Sequence, residues 1–157
     1  MKKILSLIYR IAEFGTWISL VGMIVAVVIQ VVTRFLLPSA PSWTEELSRI
    51  FFIYSVGFGA AVGIRHDAFV KLELIRNYMT EKSYHFLNVI IYLCIILFSF
   101  VMIFYAWDFV QIGVSEQSPS LKIHMNFVFF SMVIMMFSIT IFSIEKLLDL
   151  TSNIKTK

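Results

Sequence analysis

Two adjacent carboxylates and an arginine, Glu45, Glu46 and Arg49, stand together in a chain that is otherwise strongly apolar. A carboxylate pair can exchange a proton, hold a cation or dock a basic surface. On a helix, Arg49 lies one turn beyond Glu45 and can neutralise it, while Glu46 points in a neighbouring direction. Trp43, two residues before the pair, suits a membrane boundary. Trp43, Glu45, Glu46 and Arg49 therefore read equally well in two ways. They can anchor a helix start in lipid headgroups, complementing its dipole, or form a docking or assembly patch for a partner.

Other reactive side chains are sparse. His66, His85 and His124 fall at the ends of apolar runs, where surface histidines are expected; haem ligation needs buried histidines on facing helices. Glu13 invites comparison with the membrane-embedded glutamate of small four-helix drug exporters, but it sits near Arg10 and Trp17 and reads as interfacial. The single cysteine, Cys94, lies inside an apolar run and reads as packing, which excludes a disulfide framework within the chain. No Ser-His-Asp, metal-ligand or phosphate-loop pattern rises above chance. No catalytic, cofactor-binding or metal residue is assigned, and the chain is not expected to be an enzyme.

The elements that must position these residues follow from hydropathy. With 157 residues, 59% of them hydrophobic, and a mean hydropathy of +0.87, the chain belongs to the all-α integral membrane class. It has room for four transmembrane helices in one domain over residues 1–157 and for no separate soluble domain. Met1 to Phe14 puts Ile4, Leu7, Ile8, Ile11 and Phe14 on one stripe, predicting an N-terminal amphipathic helix at the membrane surface that is retained rather than cleaved. The spans are expected at about 15–37, 42–64, 86–106 and 127–144. In the first, Gly15, Ser19, Gly22 and Ala26 share a face that packs against another helix. Gln30 continues that face and is read as an interhelical hydrogen bond more readily than as an ion or substrate ligand.

Pro38 and Pro41 break the first helix, and Ser42 with Glu45 matches a capping box that opens the second. Gly57, Gly59, Ala61 and Gly63 give the second span close-packing positions, including the pairs Gly59-x-x-x-Gly63 and Gly57-x-x-x-Ala61. A short cytoplasmic helix lying on the membrane is expected over Arg65–Lys82, with Arg65, His66, Lys71 and Arg76 at the interface. Tyr105 and Trp107 close the third span, Ser118-Pro119 carries a helix-start signal, and the Met-rich fourth span reads as packing.

Lys and Arg cluster in the N-terminal arm, the middle loop and the tail, whereas Arg34, Arg49 and Lys122 lie on the opposite side. This asymmetry places both termini in the cytoplasm. The net charge of +3 is explained by topology and lipid contact rather than by nucleic acid. The stretches 21–33, 50–64, 86–107 and 127–144 contain no Asp, Glu, Lys, Arg or His. A chain that bound a charged solute or coupled protons by itself would need such a group near the midplane.

The run P-S-W-T-E-E-L-S-R-I-F-F-I-Y, followed by G-F-G-A-A-V-G-I-R-H-D-A-F-V-K-L-E-L-I, resembles the small membrane subunit, DctQ type, of tripartite ATP-independent periplasmic (TRAP) transporters. The specific part of the resemblance spans Pro41 to Ile75, while the four-span architecture covers the chain. The resemblance implies a bacterial inner-membrane subunit that pairs with a large membrane subunit carrying Na⁺ and substrate sites, with no cofactor in this chain. It implies a periplasmic binding protein that delivers a carboxylate solute, and a scaffold against which the large subunit moves in an elevator-like cycle. Two other classes remain open to the residues alone: a self-contained small homodimeric exporter, and a membrane anchor subunit of a redox enzyme.

Overall fold

Long apolar runs without internal proline leave each backbone segment one way to satisfy its hydrogen bonds in lipid, which is to form a helix. The structure, a computed structural model, describes residues 2–37, 41–66 and 80–154. Its helices are α1 (Lys2–Leu36), α2 (Ser42–Arg65), α3 (Glu81–Ile112) and α4 (Met125–Ile154). All four are long and apolar enough to cross a membrane; the shortest, α2 with 24 residues, extends about 36 Å at 1.5 Å per residue. The protein is an all-α membrane protein.

Helices consecutive in sequence run in opposite directions, so α2 and α4 run the same way. Leu37, Pro41 and residues 113–124 thus lie at one end, here the loop end, and the start of α1 and the end of α4 lie at the other, the terminal end. Extensive packing joins α1 to α2, α2 to α4 and α4 to α3. The helices therefore stand in an open row, α1–α2–α4–α3, with α1 and α3 at its two edges.

Small residues set the spacing along the row. On α1, Ala12, Ser19 and Ala26 are buried, and Gly15 and Gly22 receive the rings of Phe58 and Phe51 from α2. A Cβ at either glycine would lie 2.8 Å from a ring carbon. Both glycines and both phenylalanines are seven residues apart, so the rings enter successive holes of the same face. Gly57 faces α4, where an added Cβ would come within 3.1 Å of the Ser131 carbonyl oxygen. Gly59 looks instead toward Thr16 of α1, with ordinary contact at 3.8 Å. The tight crossing of α2 thus uses Gly57 and the buried Ala61, while Gly59 and Gly63 are half-buried.

Between α3 and α4, Thr140 donates from Oγ1 to Ser99 Oγ at 2.8 Å, and Ser99 donates to the Ile95 carbonyl at 2.7 Å. Both hydroxyls are buried and satisfied, which apolar surroundings require. Phe109 and Phe129 stack with centroids 4.1 Å apart nearer the loop end. The apolar core lies toward the terminal end, where Ala12, Ala61, Ile64 and Phe142 meet, surrounded by Ile8, Tyr9, Phe58, Val62 and Ile139.

Several expectations change. The N-terminal amphipathic segment is the first part of α1 and has no break before the span. Its inward face is Ile8, Tyr9 and Ala12, whereas Leu7, Ile11 and Phe14 are exposed. Apolar periodicity marks a stripe but does not say whether protein or lipid covers it. The capping box does not form: Pro41 is the N-cap residue with no side-chain cap bond, so Ser42 is already the first helical position. Thr44 Oγ1 instead donates back to the Pro41 carbonyl at 2.8 Å.

Ser118-Pro119 does not start a helix either. α3 continues to Ile112 and α4 begins at Met125, leaving Pro119 in a turn, for which its fixed φ is equally suited. The surface helix expected between Arg65 and Lys82 falls almost wholly outside the described residues, as do Lys71 and Arg76.

Candidate functional site

At the loop end, residues 113–124 connect α3 to α4 through a compact turn. Ser118 N–H donates to the Ile123 carbonyl at 2.9 Å, Lys122 N–H to the Ser118 carbonyl at 3.1 Å, and Met125 N–H to the Glu116 carbonyl at 3.0 Å. Gln117 and His124 form an isolated antiparallel bridge, and His124 Nδ1 lies 3.0 Å from the Val114 carbonyl oxygen. Lys122 closes the turn at φ 52°, in the left-handed region. Gly113 lets α3 and α4 meet at the base of this loop: a Cβ there would lie 2.7 Å from the Asn126 nitrogen and 2.6 Å from Phe129.

Glu46 reaches across from α2 and secures this turn. Its Oε2 accepts the Leu121 N–H at 2.8 Å and the Ser120 N–H at 3.1 Å. Two backbone donors converging on one carboxylate oxygen form a small anion-holding concavity, and a charged acceptor makes these bonds stronger than neutral ones. About two turns further along α2, the Tyr54 hydroxyl donates to the Phe127 carbonyl at 2.5 Å. The Glu46 bonds tie α2 to the loop and the Tyr54 bond ties it to the start of α4.

The four residues singled out at this end therefore separate. Glu45 and Arg49 pair with each other at 3.1 Å on the exposed surface, and Trp43 is exposed beside them. Glu46 turns inward to the loop. Sequence reasoning missed its partners because they are main-chain N–H groups, which carry no side-chain signature.

A second cluster closes the terminal end. Arg65 stacks its guanidinium 4.5 Å from the centre of the Tyr9 ring and reaches toward the Leu5 carbonyl at 3.4 Å. The Tyr9 hydroxyl lies 2.9 Å from His66 Nε2. Arg65 and His66 thus fasten the end of α2 to the start of α1, a role that their position at a span end did not reveal. Gln30 is half-buried, and its side chain has no hydrogen-bond partner among the described residues.

The geometry is that of a membrane subunit with interhelical fastenings at both ends. The DctQ component of tripartite ATP-independent periplasmic transporters matches residues 23–153. The chain belongs to this family. It is a TRAP transporter small subunit, a transporter component rather than an enzyme, and a multi-pass protein of the bacterial inner membrane.

Among its relatives is a TRAP transporter small permease protein of Haemophilus influenzae, 24% identical over 132 residues, covering 84% of this chain and 80% of the relative. The sialic acid TRAP transporter small permease protein SiaQ of Vibrio cholerae is 28% identical over 53% of this chain and 48% of its own length. The sialic acid TRAP transporter permease protein SiaT of Haemophilus influenzae is 30% identical over 52% of this chain but only 14% of its own length. A DctQ component thus resembles a small part of a much larger permease, which supports a large membrane partner for this chain.

Proposed function

We propose that this small TRAP subunit is a fixed scaffold for a large membrane subunit in the Na⁺-coupled uptake of a carboxylate solute delivered by a periplasmic binding protein. The observation that carries the reading is the absence of any Asp, Glu, Lys, Arg or His from the central stretches 21–33, 50–64, 86–107 and 127–144. Solute and cation chemistry then belongs to the partner. Two relatives are named for sialic acid, itself a carboxylate, which favours that solute class. Both termini are cytoplasmic in this reading, because Lys3, Arg10, Arg65 and Lys146 gather at the terminal end and Arg34, Arg49 and Lys122 at the loop end. The exposed Trp43, Glu45 and Arg49 then face the periplasm, where they serve assembly or docking of the binding protein.

The test is co-purification followed by reconstitution. The chain is expected to be recovered with a much larger membrane protein. Liposomes holding both, supplied with the binding protein and a carboxylate solute, are expected to accumulate solute only under an inward Na⁺ gradient. Uptake that persists when this chain is left out, or solute flux through this chain alone, rules the scaffold role out.

A further inference from the structure

The outer edge of the row carries a second feature, on the side of α1 turned away from α2. Lys3, Ser6, Leu7 and Arg10 line a shallow recess of about 370 Å³. Their spacing of three, one and three residues puts them on one face of the helix. Continuing the same face gives Phe14, Trp17, Val21, Ile24 and Val28, all exposed; Phe14 is 68% and Trp17 65% accessible. The opposite face is the one that receives the rings from α2 at Gly15 and Gly22. One side of α1 is therefore committed to protein, and the other presents two cations at the head of a long apolar stripe.

Depth fits the same ligand. Residues 14–33 carry no charge, and twenty residues of helix span about 30 Å, the thickness of the hydrocarbon core. Arg10 then lies about one turn outside that core, at headgroup level. The Tyr9–His66 contact of 2.9 Å sets this level beside the end of α2. Neither Lys3 nor Arg10 is ion-paired among the described residues, and Glu13 does not line the recess. Two cations with no ion pair among the described residues, and a hydroxyl, above an apolar track match a phosphate diester of net negative charge joined to acyl chains.

We propose that this recess binds the headgroup phosphate of an anionic phospholipid, with Lys3 and Arg10 as its cations, Ser6 as a hydroxyl donor and the Phe14–Trp17–Val21 stripe as the bed for an acyl chain. Aromatic side chains at Phe14 and Trp17 lie where the chain leaves the headgroup layer. The bound lipid fixes the level of α1 in the membrane and seals the edge of the row that α2 does not cover.

The test uses the full chain with its large membrane partner, delipidated and placed in detergent. Phosphatidylglycerol, phosphatidylcholine or inorganic phosphate is then added, and bound lipid is counted by native mass spectrometry. Phosphatidylglycerol is expected to be retained in preference to phosphatidylcholine and not to be displaced by millimolar inorganic phosphate. Each of Lys3→Gln and Arg10→Gln is expected to weaken retention about fivefold, whereas the charge-conserving pair Lys3→Arg and Arg10→Lys retains it. A photo-crosslinking residue at Phe14 is expected to capture the lipid. Equal retention of the two lipids, unchanged retention in the double Gln variant, displacement by inorganic phosphate, or capture of protein at Phe14 would each overturn the proposal.

Discussion

Glu45 and Glu46 are neighbours in sequence and opposites in role. Glu45 meets Arg49 in solvent, an exposed i,i+4 pair worth about 0.3–0.5 kcal/mol. Glu46 supplies one oxygen to two main-chain donors of the loop between α3 and α4, and its removal leaves both donors without a protein acceptor. Because water can reach these donors, Glu46→Ala is expected to cost about 0.5–1.5 kcal/mol, read as a lower thermal midpoint in detergent. Amide exchange at Ser120 and Leu121 is expected to accelerate at least tenfold. The paired variant Glu45→Ala with Arg49→Ala is expected to leave both readouts nearly unchanged, so equal losses in the two variants would show that Glu46 has no special hold on the loop. The importance of this carboxylate region was legible in sequence from its isolation among apolar residues. Which carboxylate turned inward was not, because its partners lie 74 and 75 residues away and are backbone groups common to every residue type.

Among the helices, the α1–α2 contact shows most directly how spacing becomes structure. Lipid offers no hydrophobic drive for two apolar helices to associate, so close approach and van der Waals contact must hold them. Gly15 and Gly22 supply the approach, and Phe58 and Phe51 fill it. Gly15→Leu with Gly22→Leu is expected to overpack the contact and destabilise the chain by about 1–3 kcal/mol per site, measured as unfolding in detergent. A smaller pair tests the register: Phe51→Ala is expected to relieve part of the cost of Gly22→Ala in a double-mutant cycle, and strict additivity would mean that the ring and the glycine do not meet. The stripe on α1 was readable from its four-three-four spacing. The Gly59-x-x-x-Gly63 motif was equally readable, yet it is at Gly57 that an added Cβ would press on another helix's backbone, the Ser131 carbonyl, because α4 packs on a different side of α2 from α1.

At the scale of the molecule, an open row of four helices leaves both edges without a neighbouring helix among the described residues. α1 and α3 carry long exposed apolar faces, including Phe14, Val21 and Val28 on one and Leu97, Phe100 and Phe104 on the other. Lipid covers such faces at no polar cost, and a partner subunit covers them with added contact. Association with the large membrane subunit is therefore expected to stabilise the chain by mass action, by about 2.7 kcal/mol when the partner stands at a hundred times its dissociation constant. The thermal midpoint of the purified chain is expected to rise as the partner is titrated in. A midpoint indifferent to the partner would mean that the exposed faces are lipid surfaces alone.

The membrane class, the four helices and the small-residue face of α1 were determined by the sequence alone, since each depends on local hydropathy or on a period of a few residues. Tertiary structure decided which face of the N-terminal segment turns inward, that Ser42 lies inside its helix rather than capping it, and that Ser118-Pro119 belongs to a turn. It also decided that Glu46 grips the loop while Glu45 does not, and that Arg65 and His66 fasten α2 to Tyr9. The physical reason is common to all of these. A stretch of chain encodes the shape it adopts through nearest neighbours, but the partner that satisfies a carboxylate, a ring or a turn is supplied by residues brought close only when the helices pack.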